Sequence, residues 1–440
     1  MGMAFAPPTP ASNRDAGLVR GIGMFTLTAT FIGMQVGSGI FNVPAPMAAA
    51  VGSYAPLAYI ACALAVGAVM LCFAEGASRV PTSAGVGGFV DAAFGPYWGF
   101  LTGILTWVSV VRAAGSIAAA AADIIGTVVP AVAAGPVRAL AITGWMLGLA
   151  ALNMRGVGFA SRLTAIATSI KMVPLVLFVA IGIWFIAPAK LVLPLAAGST
   201  EVGRAAILGI FLFTGIEGSL AVSGEVKDPS RTIPRAVMAA MIGYSLLCVL
   251  IQVIAQGLLG NDLGGSVAPL AEAMARISPP LGLLLGAGAA ISMLGWTSSD
   301  ALSSPRLLFA LARDGFLPKP VGWLHPRTHT PYVASFVHAA IAAGLAVTGS
   351  FASLAILSTL FCVLIYLLGA AAAVKLRIED VAVAGPPVRI PALNLIALAG
   401  CAAMVWVAAQ STAAEAIAIA AFVAGASLLY RLRRTRNRSD

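Results

Sequence analysis

Charged residues are scarce in this sequence. Asp, Glu, Lys and Arg together make up 10% of its 440 residues, whereas a soluble globular domain carries about 25%. None of these four lies between Arg20 and Glu75, or between Arg327 and Lys375, and each gap is long enough for two helical spans of about 20 residues. A soluble protein is therefore excluded. The apolar runs are continuous rather than alternating, so the sequence predicts an all-α polytopic membrane protein and not a β-barrel.

Cysteine and histidine are also rare, with five and three residues respectively. The cysteines lie inside apolar runs without paired spacing, so neither a disulfide framework nor a metal cage is expected. His325 and His329 are four positions apart, but Pro326 between them disfavours the helix that would align both side chains on one metal ion. We therefore expect no metal site and no cofactor.

The cations are distributed along the chain rather than gathered in one patch. The formal net charge is +10, but Lys and Arg lie mainly in short segments between apolar runs, so no nucleic-acid partner is expected. With a cytoplasmic N-terminus, 20 of the 26 Lys and Arg residues fall on the inner side of the membrane. This bias predicts that both termini are cytoplasmic, in a plasma membrane such as the bacterial inner membrane. No cleavable signal peptide is expected.

About twelve spans are predicted from the charge-free lengths. Their approximate positions are 22–48, 54–75, 96–122, 137–153, 163–187, 204–224, 234–259, 281–312, 331–348, 351–374, 391–410 and 414–430. The linkers are short, which is typical of a single transmembrane domain over residues 1–440.

Two apolar segments are interrupted by glycines. Residues 35–41 read QVGSGIF, and residues 211–219 read FLFTGIEGS, with a carboxylate between the glycines. Each glycine costs a helix about 1 kcal/mol relative to alanine. Paired interruptions of this kind mark the binding site of many transporters. We expect breaks near 36–40 and 214–218 that face each other.

The ionisable side chains inside predicted spans include Arg112, Lys171, Glu217 and Asp300. Such residues are costly in a membrane and commonly functional. Two cations and two anions also allow structural neutralisation in pairs. Glu217 lies within an interrupted segment, which a purely structural pair would not require.

Several separated motifs resemble the amino acid-polyamine-organocation (APC) superfamily of amino acid permeases. Residues 37–41 (GSGIF) with Pro44 resemble its unwound first helix, and residues 213–217 (FTGIE) its unwound sixth helix. Residues 225–234 (EVKDPSRTIP) and 305–315 (PRLLFALARDG) resemble the loop after the sixth helix and the inner end of the eighth. The resemblance covers nearly the whole chain.

The resemblance implies the leucine-transporter fold. In this fold two inverted five-helix repeats, here about 22–187 and 204–374, are followed by two extra helices at about 391–430. Residues 81–89 (PTSAGVGGF) depart from many members, which carry a proline or tyrosine near these glycines. The departure weakens a close subfamily assignment and leaves the fold unaffected.

By position in these motifs, the broken helices are expected to bind a zwitterionic amino acid. The Ser38 hydroxyl and the amides of Ser38 and Gly39 are expected to bind its carboxylate, and the carbonyls of Gln35, Phe211 and Thr214 its ammonium. Phe211 matches an aromatic gate, although an ordinary core phenylalanine is the alternative. The remaining backbone positions expected at this site are Gly37, Ile40 and Gly215.

Two further residues are expected to couple and gate transport. Lys171 resembles the fifth-helix lysine whose ammonium, in sodium-independent relatives, occupies the place of sodium. We expect its ammonium to bond a first-helix carbonyl near Gly37, and Ser292 as a second partner, with no sodium requirement. A counter-ion for Glu217 or Asp300 is the alternative. Glu217 is expected to brace the sixth helix against the first.

The substrate side chain depends on Asp300 and Arg112. If Asp300 is unpaired and faces the cavity, a cationic amino acid or a polyamine is favoured. If Asp300 and Arg112 pair with each other, the pocket is neutral. We favour the pair, because two separate desolvated charges would cost several kcal/mol each.

The predicted function is sodium-independent secondary transport of neutral L-amino acids by alternating access, with proton coupling or exchange. Cationic amino acid or polyamine transport, and a twelve-span transporter of another family, are the alternatives. An enzyme is not expected, since a hydrolase would need a base beside Ser38 and the one histidine in a span, His338, is distant in sequence. Nor are the charged rings of a channel present.

Overall fold

The computed structural model describes residues 22–82, 84–154, 171–192, 198–383 and 385–436, and these residues are nearly all helical. One isolated bridge, between Ile22 and Val226, is the only strand-like pairing among them. The helices are α1 (Met24–Gln35), α2 (Gly39–Asn42), α3 (Pro44–Val51), α4 (Ala55–Arg79), α5 (Gly85–Phe94), α6 (Pro96–Gly126), α7 (Gly135–Asn153), α8 (Lys171–Phe185), α9 (Ser199–Phe213), α10 (Ile216–Ser219), α11 (Pro229–Leu259), α12 (Pro269–Ala275), α13 (Pro279–Ser303), α14 (Pro305–Arg313), α15 (Tyr332–Thr348), α16 (Phe351–Ile378), α17 (Leu393–Ala408) and α18 (Ala413–Arg436). Short 3₁₀ turns lie at Gly52–Tyr54, Pro130–Val132, Ile183–Phe185, Pro188–Leu191, Leu220–Glu225, Gly260–Gly265 and Lys319–Gly322.

Eight helical segments of the described chain are long and apolar enough to cross a membrane. They are Pro44–Arg79, Pro96–Gly126, Gly135–Asn153, Thr200–Ser219, Pro229–Gly265, Pro279–Arg313, Phe351–Ile378 and Ala413–Arg433. Four shorter apolar helices are Gly85–Phe94, Lys171–Phe185, Tyr332–Thr348 and Leu393–Ala408. The predicted class, an all-α polytopic membrane protein, is confirmed. The number twelve and the repeat boundaries stay predictions.

The helix boundaries agree closely with several predicted spans. α6 and α16 begin at residues 96 and 351, where two of the predicted spans begin. The first predicted span, 22–48, is instead divided among α1, α2 and α3. Residues 163–170 of the fifth predicted span, and residues 1–21 and 437–440 at the termini, lie outside the described residues.

α6 lies at the centre of the bundle and packs against α5, α13, α15 and α16. Its second half is rich in alanine, and small residues let helices approach closely in a membrane. Where α6 meets α16, Ser109 and Ser358 each donate a hydroxyl to the other's carbonyl, at 2.9 and 2.8 Å. α18 is more exposed, at the edge of the bundle.

At one end of the bundle, hydrogen bonds join the segment after α10 to two other parts of the chain. The Ile22 N–H donates to the Glu225 carbonyl at 3.0 Å, and the Lys227 N–H donates to the Ile22 carbonyl at 2.9 Å. Beside them, the Ser223 hydroxyl donates to the Thr82 carbonyl at 3.0 Å. The chain before α1 and the loop after α4 are thereby joined to the segment after α10.

Candidate functional site

The first transmembrane segment is broken where the glycines predict. α1 ends at Gln35, and α2 begins at Gly39. Between them the Gly37 N–H turns back to the Gln35 carbonyl at 2.9 Å instead of continuing the helical ladder. The predicted first break is confirmed.

The sixth predicted span, 204–224, is broken at Thr214 and Gly215, between α9 and α10. Gly215 has φ +121°, a conformation that side-chain-bearing residues rarely adopt. A Cβ built on it would lie 2.9 Å from the Met34 carbonyl oxygen, next to the first break. A Cβ on Gly39 would likewise lie 3.2 Å from Leu212 Cδ1. The two breaks therefore face each other, as predicted.

Ser38 lies within the first break and has an unused hydroxyl. Its side chain is fully buried, and its Oγ has no hydrogen-bond partner in the described part of the chain. Buried hydroxyls are normally satisfied, because an unpaired one costs about 1–3 kcal/mol. Ser38 is therefore prepared to bind a ligand group, and the predicted carboxylate contact stays a prediction.

The backbone carbonyls expected to bind an ammonium are not equally available. The Gln35 carbonyl accepts the Tyr244 hydroxyl at 3.0 Å and the Gly37 N–H at 2.9 Å. The Phe211 carbonyl accepts both the backbone N–H and the hydroxyl of Thr214, at 3.2 and 2.8 Å. A carbonyl has two lone pairs, so both groups are already satisfied in this conformation.

The Gln35 side chain has a role that the sequence did not reveal. Its amide nitrogen Nε2 donates to the Phe213 carbonyl at 3.3 Å, and this bond joins the end of α1 to the end of α9. Its Oε1 is buried without a partner among the described residues. The side chain links the two breaks and leaves one acceptor unused.

Phe211 lies beside the first break. A Cβ on Gly39 would be 3.5 Å from its Cδ1. On its other side the ring meets the Phe351 ring edge-on, with centroids 6.1 Å apart. The Phe351 carbonyl in turn accepts the Ser116 hydroxyl at 2.9 Å. Phe211 thus separates the break from the first turn of α16, and its action as a gate stays a prediction.

Lys171 is buried, and its Nζ donates to the Gly33 carbonyl in α1. This ammonium bonds a first-helix carbonyl, as expected, but at Gly33, four residues before Gly37, and its role in coupling stays a prediction. The expected second bond, to Ser292, is not formed, and the Ser292 hydroxyl has no partner among the described residues. No ion pair joins Lys171 to Glu217 or Asp300 within the described chain, because both carboxylates have other partners.

Glu217 stabilises the break between α9 and α10, but it does not brace this break against the first broken helix, as was expected. Both of its carboxylate oxygens accept the Gly215 N–H, at 2.9 Å each. The Cys362 thiol donates to Oε1 at 3.3 Å, and the Tyr366 hydroxyl donates to Oε2 at 3.1 Å. The expectation was wrong because the break leaves this amide within reach of Glu217, while Cys362 and Tyr366 lie one turn apart on a single face of α16.

The expected pair between Asp300 and Arg112 is not formed. Asp300 Oδ2 is 2.8 Å from His338 Nε2, and Oδ1 accepts the Ser304 hydroxyl. The Arg112 guanidinium lies over the Phe361 ring, 5.7 Å from its centroid, and its Nε is buried without a partner in the described chain.

Helix orientation explains this correction. Ser109 and Ser116, which flank Arg112 by one turn on each side, both bond to α16. Arg112 therefore lies on the face of α6 that meets α16. Asp300 instead lies where α13 meets α15, since its partner is His338. The only sequence signal for this partner was that His338 is the one histidine in a predicted span.

Two facing helix breaks inside a bundle of apolar helices are typical of one class of protein, the helical membrane transporters. Within that class, the chain belongs to the amino acid permease family of the APC superfamily. The sequence profile described as "Amino acid permease" matches residues 22–428.

Characterised and uncharacterised relatives agree with this assignment. An uncharacterised transporter of Mycobacterium tuberculosis is 30% identical over 407 residues, which cover 91% of this chain and 89% of the relative. The branched-chain amino acid permease BcaP of Bacillus subtilis is 25% identical over 357 residues, 74% of each chain. The serine/threonine exchanger SteT of Bacillus subtilis is 25% identical over 345 residues, covering 74% of this chain and 76% of the relative.

Proposed function

We propose that the protein is a sodium-independent secondary transporter of neutral L-amino acids that works by alternating access. Ser38 carries this proposal, because its buried hydroxyl has no partner in the described chain and lies within the first break. The transporter lies in a bacterial plasma membrane with both termini in the cytoplasm. Two inverted repeats, at about 22–187 and 204–374, supply one broken helix each, and the helices at about 391–430 lie outside the repeats.

The broken helices suit an amino acid because its two charges need opposite partners. The Ser38 hydroxyl and the amides of Ser38 and Gly39 bind the carboxylate, since the first N–H groups of a helix have no partner within it. The Thr214 carbonyl and the unused Oε1 of Gln35 face the ammonium. The carbonyls of Gln35 and Phe211 join them once Tyr244 and Thr214 move.

Pairing of the nearby charges favours a neutral substrate side chain. Asp300 is bonded to His338 and Ser304, so it is not free to bind a cationic side chain. The names of two relatives, a branched-chain amino acid permease and a serine/threonine exchanger, point to neutral substrates as well. Cationic amino acids and polyamines are the less favoured candidates.

Lys171 supports sodium independence. Its ammonium bonds the Gly33 carbonyl in α1. A fixed cation at this position supplies the positive charge that a bound sodium ion would supply. Coupling then depends on proton movement or on exchange of one amino acid for another.

Counterflow in proteoliposomes tests this proposal. Vesicles loaded with unlabelled leucine or serine are expected to accumulate the labelled amino acid equally with and without sodium, whereas arginine, glutamate and spermidine compete poorly. Ser38→Ala is expected to lower counterflow at least tenfold. Ser298→Ala is the matched control, because its hydroxyl bonds the Leu294 carbonyl of its own helix at 2.9 Å. Strong arginine competition or a sodium requirement would contradict the proposal.

A further inference from the structure

Three helices are joined by hydrogen bonds that meet at a buried histidine. The Trp107 indole Nε1 in α6 donates to His338 Nδ1 in α15 at 3.3 Å. On the other side of the ring, His338 Nε2 lies 2.8 Å from Asp300 Oδ2 in α13. The second oxygen of Asp300 accepts the Ser304 hydroxyl. His338 and Asp300 are each only 1% exposed.

These contacts assign the protonation state of the ring. An indole N–H can only donate, so Nδ1 of His338 must be an acceptor without a proton. Nε2 then carries the proton and donates to the Asp300 carboxylate. In this conformation the histidine is neutral and the aspartate is ionised, and the pair carries one buried negative charge. This charge leaves room for one proton, which Nδ1 accepts if Trp107 withdraws.

Within the described residues, no other charged group is bonded to the pair. α13 and α15 pack against α6, α7, α12, α14 and α16, and α15 also contacts the Lys319–Gly322 turn. The ionisable side chains on these elements are Tyr97, Arg112, Asp123, Arg138, Glu272, Arg306, Arg313, Lys319, Cys362, Tyr366, Lys375 and Arg377. None of them forms a hydrogen bond or ion pair with Asp300 or His338 in the part of the chain described.

From this geometry we infer that His338 and Asp300 form the proton-binding site that couples transport, an inference that rests on the proposed function above. A proton adds to Nδ1 of His338 and breaks the bond from Trp107. The resulting imidazolium pairs with the Asp300 carboxylate, so the buried pair becomes neutral overall. On the opposite side of the membrane the proton leaves Nδ1, and the bond from Trp107 forms again. Intramembrane Asp and His residues commonly serve as proton relays.

α13 connects this pair to the candidate substrate site. Trp296 lies four residues before Asp300, on the same face of the helix. Its indole Nε1 donates to the Met34 carbonyl at 3.0 Å, and its Cδ1 would lie 3.6 Å from a Cβ on Gly37. A movement of α13 that follows protonation at Asp300 and His338 therefore reaches the first break directly.

The test compares two transport modes in the same proteoliposomes. Counterflow at equal pH needs no net proton movement, whereas amino acid accumulation driven by a pH gradient does. For the wild type, an entrapped pH dye is expected to report proton entry together with the amino acid. In His338→Gln and Asp300→Asn, the ratio of gradient-driven accumulation to counterflow is expected to fall at least tenfold.

A second variant distinguishes titration from bracing. Trp107→Phe removes the donor that keeps Nδ1 unprotonated, and a hydrogen bond of ordinary strength corresponds to about half to one pH unit. The pH midpoint of gradient-driven uptake is expected to move upward by about that amount. Ser335→Ala is the matched control on α15, because its hydroxyl bonds the Pro331 carbonyl of the same chain segment at 3.0 Å.

The outcomes separate this inference from the proposed function. If His338→Gln lowers both transport modes in parallel, or keeps the wild-type ratio and pH profile, the pair is a structural brace and the inference is overturned. Wild-type counterflow in vesicles that show neither accumulation driven by a pH gradient nor proton entry with net uptake also overturns it, but leaves amino acid exchange intact. Failure of wild-type counterflow with every neutral amino acid would instead overturn the proposed function.

Discussion

Gly215 lies so close to Met34 that a Cβ on the glycine would be 2.9 Å from the Met34 carbonyl oxygen. The two residues belong to different broken helices, and the absent side chain is what lets these helices touch. Gly215 also has a positive φ, which residues with a side chain rarely adopt, so the backbone conformation favours glycine at this point. Contact between the breaks therefore depends on one missing carbon atom.

Gly215→Ala is expected to abolish transport and to lower the thermal stability of the detergent-solubilised protein. The alanine would meet backbone atoms, and a strained backbone conformation costs about 1–3 kcal/mol. Counterflow and thermal unfolding measure the two effects. Gly218→Ala is the matched control, since a Cβ there would meet nothing within 4 Å. Equal behaviour of the two variants would contradict the proposed contact between breaks.

Glu217→Gln is expected to lower the stability of the fold around the break between α9 and α10 more than Tyr366→Phe does. The amide keeps the shape but loses the charge that accepts the Gly215 N–H, whereas the tyrosine change removes a single hydrogen bond. We expect about 1–3 kcal/mol of destabilisation for Glu217→Gln. Thermal unfolding of both single variants and the double variant measures the coupling. Strictly additive effects would show that Glu217 and Tyr366 do not act together.

Lys171→Ala is expected to lower counterflow at least tenfold, because it leaves the Gly33 carbonyl beside the break without its cation. Lys190→Ala serves as the control. Its Nζ bonds the Leu258 carbonyl at 2.7 Å, at the end of α11 and away from the breaks. Uptake is measured in sodium and in choline buffers. Sodium-stimulated uptake in the wild type would refute the proposed role of Lys171.

Asp300→Asn is expected to leave substrate selectivity unchanged. The carboxylate is already bonded to His338 and Ser304, so we expect it not to contact the substrate. In a counterflow competition assay, the relative inhibition by alanine, leucine, arginine and glutamate should match the wild type. Loss of a strong wild-type arginine preference in the variant would mean that Asp300 binds the substrate side chain.

The sequence alone was enough to predict the class and the location of the two helix breaks. Scarce charge and continuous apolar runs leave only a helical membrane bundle. The glycine clusters around 37 and 215 indicate where the helices break, because the cost of a glycine in a helix is local and does not depend on the rest of the fold. Ionisable residues inside spans could be recognised for the same reason, since hydrocarbon penalises them wherever they lie.

The partners of these residues were decided by the tertiary structure. A sequence shows that Asp300 and Glu217 need partners, but helix rotation determines which faces meet. Arg112 lies on the face of α6 that meets α16, and Asp300 is therefore bonded to His338 instead. The Glu217 carboxylate accepts hydrogen bonds from the Gly215 N–H and from two residues of α16. Which of several chemically suitable groups becomes the partner depends on contacts between residues hundreds of positions apart, and no local pattern encodes them.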